Sequence, residues 1–292
     1  MSLSIKRNLF AGRLSACCAA AVFFVALSVF LAGCTQNKKA ADDEIEADSL
    51  VTTDSIEELL LFDNTQVPET VDANFDDFFY TFVTDEEFFD KRVEYPLTVE
   101  ENGKETKLAK GQWKDSDKIK SQELLTFVYT EDEDMRLLKS DSLKQVKLEW
   151  VDLSNMSCDN YLFEYDGDWK LTRRIKTSEI EEKYRDFAEF YAKFIADSVF
   201  QVNSIEEPLN LIATSAGEMY EGGISTLKRS EWSEFHSQMP MPENLLPLMD
   251  YGQNIQHEKK INMVVRCVTQ PLFARYEFRR HKGKWMLHTI EY

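Results

Sequence analysis

The residue types that do acid–base, nucleophilic or metal chemistry are scattered along this chain. The four histidines, His236, His257, His281 and His288, form no i, i+4 pair on a helical segment, and no Cys or carboxylate joins them at a ligand spacing. The reading therefore expects no metal and no cofactor. There is no Gly-Lys-Ser/Thr phosphate loop and no Gly-x-Ser-x-Gly elbow, so neither chemistry has its usual backbone cradle. Cys158 and Cys267 stand at non-equivalent points and are expected as two free, partly buried thiols, although an oxidising compartment would permit a bond. What remains is aromatic. Trp113, Trp150, Trp169, Trp232 and Trp285, with Tyr161 and Tyr276, are the candidates to line a pocket, against the competing reading that they are core. Asp85 and Asp197 also recur, at helix junctions where capping explains them.

Charge narrows the partners. The formal net charge is −18. Residues 1–33 hold Lys6, Arg7 and Arg13 and no acid, so loss of those three cations takes the remainder to −21. Phosphate backbones need clusters of Lys and Arg, so nucleic acid is excluded as a partner. Residues 35–74 carry 11 acids against 2 bases, a self-repelling tether rather than a packed element. Residues 181–292 are nearly balanced at −3, so most of the acidic excess lies before them.

The first residues have the order of an export signal: Lys6 and Arg7, then an apolar run from Leu14 to Leu31, then small residues. The run ends in Leu31-Ala32-Gly33-Cys34. This ending resembles the lipobox of bacterial lipoproteins residue for residue. The resemblance implies cleavage after Gly33, diacylation of the Cys34 thiol and acylation of the new amino group, giving a membrane anchor of more than one chain. Thr35 stands where an Asp would mark inner-membrane retention in some bacteria, so the implied location is the cell envelope, at the outer membrane. The alternative, an uncleaved transmembrane helix, does not account for Gly-Cys at its end.

The rest of the chain repeats. Phe75–Leu97 and Phe187–Leu209 align without a gap and share 8 identities in 23 positions. Phe75, Phe78, Phe79, Phe82 and Val83 follow helical spacing, as do Phe187, Phe190, Tyr191, Phe194 and Ile195. Thr84 with Glu87 is a candidate cap for a second short helix, and Pro96 and Pro208 are expected to open extended runs. Trp113 aligns with Trp232, Tyr161 with Tyr276 and Trp169 with Trp285. Val146, Leu148 and Trp150 alternate as one strand face, and Tyr161, Phe163 and Tyr165 as another. Asn102-Gly103 and Asp166-Gly167 are hairpin signals, with Arg280–Gly283 as a longer turn in the second copy.

Each unit thus reads helix, helix, hairpin, helical turn, then an antiparallel meander. This order resembles the cone-shaped fold of nuclear transport factor 2 and the ketosteroid isomerases. The Phe-x-x-Phe-x-x-x-Phe segment running to Pro-Leu, with its closing Gly-x-Trp-x-Leu hairpin, resembles tandem-domain lipoproteins of Gram-negative bacteria. The expected architecture is α+β: signal peptide 1–33, acidic tether 34–70, and two tandem cone-shaped domains, 71–179 and 180–292, each with N-terminal helices packed on its own curved antiparallel sheet. The Asp base and Tyr–Asp oxyanion hole of the isomerases do not map onto this chain. The functional expectation is therefore a non-enzymatic binding or interaction module for a small molecule or protein. An isomerase- or hydrolase-like enzyme using one pocket, and a structural envelope spacer, are the alternatives.

Overall fold

A computed structural model describes residues 71–292, apart from 115, 141, 215–221, 256–259 and 270–271. The signal segment, Cys34, the tether 34–70 and His257 lie outside the described residues. Among the described residues no helix is long and apolar enough to cross a membrane.

The phenylalanines dictate the first elements. Helix α1 (Phe75–Thr84) buries Phe75, Phe78, Phe79, Phe82 and Val83 along one stripe. Asp85 then stops it in an extended conformation and caps α2 (Glu86–Arg92), its Oδ1 accepting from Phe88 N at 2.9 Å. Thr84 does not take that role, since its hydroxyl donates back to Tyr80 O. Next come β1 (Val93–Glu101), β2 (Lys104–Leu108), α3 (Asp117–Lys120), β3 (Leu124–Tyr129), α4 (Asp132–Arg136), β4 (Gln145–Asp152), β5 (Ser157–Tyr165) and β6 (Trp169–Thr177). The second half repeats this order apart from α4, which has no counterpart among the described residues: α5 (Glu182–Ala196), α6 (Ser198–Asn203), β7 (Ile205–Ala213), β8 (Gly223–Leu227), α7 (Trp232–His236) and β9 (Leu245–Asp250), then β10 (Lys260–Cys267), β11 (Phe273–His281) and β12 (Lys284–Glu291). Asp197 caps α6 as Asp85 caps α2, accepting from Val199 N and Phe200 N.

Two local expectations change. Strands β1 and β7 begin before Pro96 and Pro208, which sit inside them where the register with β6 and β12 shifts. Arg280 and His281 are strand residues, so the second-copy turn shortens to Lys282-Gly283, with φ of 50° and 80°. Lys282 there is left-handed, as Asn102 is in the β1–β2 turn.

The larger difference is in the sheet. The described strands form one 12-stranded sheet ordered β2-β1-β6-β5-β4-β9-β3-β10-β11-β12-β7-β8, where two separately closed sheets were expected. Strand β3 does not pair with β4 of its own half. It pairs antiparallel with β10 over six positions, from Asn262↔Tyr129 to Cys267↔Leu124. Strand β9 takes its place beside β4, also over six positions. Between them β3 and β9 run parallel. The halves have thus exchanged their third strands. Alternating apolar residues fix which faces a strand buries, but not which neighbour it hydrogen-bonds, so either partner satisfied the sequence pattern.

The exchange sets up two cores. Leu125, Phe127 and Tyr129 of β3, Met249 of β9 and Val264 of β10 join the first, with α1 and the β4–β6 meander. Val128, Leu246, Leu248, Met263 and Val265 join the second, with α5 and the β10–β12 meander. Successive residues of the central strands point alternately into the two cores, so the helices of the two halves cover opposite faces. Ion pairs cross the junction. Arg266 on β10 is held bidentately by Asp76 of α1 at 2.8 and 2.9 Å, and it is 7% exposed. Arg275 on β11 reaches Asp132 at 3.5 Å and pairs with Glu291.

Fragments 71–179 and 180–292 should therefore associate when mixed and melt together, in one transition above that of either fragment alone. Fragments that fail to associate on mixing would contradict the exchange.

Candidate functional site

At the junction of the halves lies an open cleft of about 1360 Å³. One wall comes from the first half: the β1–β2 turn, Trp150 of β4, Asp159 of β5 and Lys176 of β6. The other wall is the segment His236–Asn244 of the second half, with Leu245 and Pro247 of β9. The exchange creates this wall, because β9 beside β4 carries the segment ahead of it across the end of the first half's sheet.

Of the seven aromatics proposed from sequence, the cleft takes Trp150. Tyr161 packs behind it, with ring centroids 5.0 Å apart, and Trp113 stacks on Tyr161 at 6.0 Å. Arg174, buried on β6, closes this group. Its guanidinium lies 5.7 Å from the Trp113 ring and 5.5 Å from Tyr161, and Nε and Nη2 donate to Asp159 at 2.8 and 2.5 Å. Trp169 is elsewhere, edge-on to Phe75 at 5.0 Å in the helix–sheet core. Trp232 donates its indole N–H to Gln201, and Trp285 donates to Asp186.

The two halves differ at this end. In the second, Met239 and Met241 insert into the core. Tyr276 donates to Pro240 O at 3.0 Å and Tyr191 to Pro242 O at 2.9 Å. The Met-Pro-Met-Pro segment thus stoppers its own half, while its other side faces the cleft. The first half has two fewer residues between its Trp and third strand and no such segment. It keeps the Trp150–Tyr161–Trp113 stack instead.

Two groups at the cleft, Cys158 and His236, are shifted by burial. Burial pushes the Cys158 thiol up to about 12, helped by the charge of Glu149, so it stays protonated near neutrality. Cys267 is likewise free and buried. Burial lowers His236, against a weaker opposing pull from Glu243, so its ring is neutral at pH 7. It stacks beside Trp232 at 5.2 Å. His281 is exposed, whereas His288 is half-buried, with Nδ1 3.2 Å from Glu277 and Nε2 3.5 Å from Glu206. On the β11–β12 hairpin Arg279 pairs with Glu277 at 2.6 Å and Arg280 with Asp186.

Behind the cleft, Glu149, Glu181 and Asp250 bring carboxylate oxygens within 4.8 Å of one another. Lysines fill the place a cation would take. Lys147 Nζ is 2.6 Å from Glu149 and 3.4 Å from Asp250 and also pairs with Glu181, while Lys183 is 2.7 Å from Asp250. The Glu149 side chain is 0% exposed. Burial raises its pKa and Lys147 opposes that rise. Sequence reasoning missed this cluster. Lys147 and Glu149 alternate with the apolar face of β4 and read as its solvent side, but α5 and β9 cover them.

Comparison with known proteins agrees with this architecture. Residues 52–292 match the model of a family described as a domain of unknown function, DUF4348, and the chain belongs to that family. No curated protein matches. A crystal structure of an NTF2-like protein from Bacteroides fragilis superposes with a TM-score of 0.66 at 28% identity, covering 77% of this chain and 98% of that one. The fold is NTF2-like, a large sheet with packed helices.

Lys147→Met should destabilise the protein by about 3–5 kcal/mol, because it strands a buried carboxylate, and Lys147→Met/Glu149→Leu should recover most of that loss in urea denaturation. Acid should act elsewhere too. Burial pushes Glu277 up, but His288 and Arg279 hold it down at about 2, below its ordinary 4.5. Its contribution is therefore complete above pH 4.5 and lost as pH falls through 2. Glu277→Gln should flatten the decline in stability across that window.

Proposed function

We propose that this protein is an exported lipoprotein, cut after Gly33 and held to the outer membrane of the cell envelope by lipid on Cys34, that works as a non-enzymatic binding module. In this reading each half is one cone, residues 34–70 are the tether, and the ligand sits in the cleft between the halves. The observation that carries it is the asymmetry at the junction. The second half is stoppered by Met239 and Met241, and the first presents Trp150 to an open cleft. A large, mostly pre-formed concavity lined by both halves is where a ligand gains most contact. Acid–base groups do not favour catalysis there. The cleft thiol is protonated, the imidazole is neutral, and Asp159 is engaged by Arg174.

The acyl anchor would place this cleft beyond a polar tether, free to reach partners at the membrane surface. Two measurements test the reading. Cys34→Ala should accumulate as full-length precursor without incorporating labelled palmitate, and normal maturation would overturn the anchor. For the cleft, native mass spectrometry of the protein from its own cells should show a bound species that is lost in Ser157→Trp, a substitution that fills the groove. An unchanged ligand in that variant would place binding elsewhere.

A further inference from the structure

We infer that the cleft takes an extended, basic peptide segment of a partner protein, an inference that rests on the cleft being the ligand site. Size gives the first argument. Pockets for small molecules run about 300–1,000 Å³ and enclose their ligand. This one is about 1360 Å³ and open along the junction, which suits several residues of chain rather than one enclosed molecule.

Charge gives the second. Glu101, Glu123, Asp152, Asp159 and Glu243 line the cleft against Lys118 and Lys176. Glu101 and Glu243 are exposed on its rim, and no ion pair holds either among the described residues. Acids outnumber bases here even with Asp159 held by Arg174, and a concave surface with an excess of one sign concentrates the opposite charge.

The third argument concerns the indole of Trp150. This residue is 6% exposed and lines the cleft, yet its Nε1–H has no acceptor. A buried donor left unpaired costs about 1–3 kcal/mol. Reaching that donor takes a small turn of the indole toward the cleft, which a peptide carbonyl seated there would reward. The methionines and prolines of the opposite wall give an apolar ledge for the aliphatic stems of Lys or Arg.

The same charges identify the occupant by elimination. The chain's own segment 35–74, with 11 acids and 2 bases, is repelled from an acidic cleft. So is a second copy, at −21 without residues 1–33. A separate basic partner is the complementary one.

Full-length protein in mild detergent would be titrated at low salt with a labelled alternating Lys-Ala peptide, a Glu-Ala peptide of equal length, and spermine. The Lys-Ala peptide should bind at least about tenfold more tightly than either, and shift the tryptophan emission. Glu101→Lys/Glu243→Lys should weaken it by about tenfold or more. The double variant Glu133→Lys/Glu189→Lys, away from the cleft with the same change in net charge, should not. Trp150→Phe should weaken binding and abolish the emission shift while the protein still melts in one transition. Equal binding of the acidic peptide or of spermine, or equal loss in the remote variant, would overturn the inference. Recovery of a non-basic ligand that Ser157→Trp displaces would overturn it too, while leaving the binding-module reading intact.

Discussion

Strand β3 belongs by sequence to the first half and by hydrogen bonding to the second, and β9 mirrors it. Everything else about the molecule follows from that exchange. Taking β9 away from β4, or β3 away from β10, would leave a row of unpaired amides and carbonyls at each edge. Exchange satisfies both edges at once and fuses two small sheets into one of twelve strands. The parallel β3–β9 seam contributes only two paired positions. The stability of the junction must therefore come from the two six-position antiparallel ladders and from side chains that span it.

Those side chains explain why the junction is charged as well as apolar. Asp76–Arg266 and Asp132–Arg275 tie helices of the first half to strands of the second. Lys147 sits among acids drawn from β4, β9 and the start of α5. Pairs of this kind add little net stability over apolar packing, but they are costly to break singly. They therefore penalise any register other than the observed one, including the unexchanged pairing of β3 with β4. The cleft is a by-product of the same geometry. The segment that leads into β9 must cross the end of the first half's sheet, and its Met-Pro-Met-Pro stretch stoppers one half while walling the groove of the other.

Much of this was legible in the sequence, and what was not has a physical reason. Helical spacing of phenylalanines, the capping Asp85 and Asp197, and the Asn-Gly turn are local signals, and each appears where its pattern put it. The duplication was visible because core positions recur at fixed offsets. Strand partnership was invisible, since Leu124–Tyr129 and Leu245–Asp250 carry similar apolar patterns and either fits beside β4 or β10. The burial of Glu149 followed from that blind spot, because a residue on the outer face of one sheet becomes internal once the other half covers it. Among the aromatics, Trp113 and Trp232 align perfectly yet face different surroundings, one beside Arg174 and the other bonded to Gln201. Recurrence marked them as core-forming and said nothing of which end stays open.

The most direct test is the pattern of cross-strand contacts in solution. Nuclear Overhauser effects should link Thr126 with Val265 and Glu149 with Leu248, the partners that the exchanged ladders place opposite one another. Contacts between β3 and β4 within the first half, such as Phe127 with Leu148, in place of those pairs would show that the halves close separately, and would contradict the account at its root.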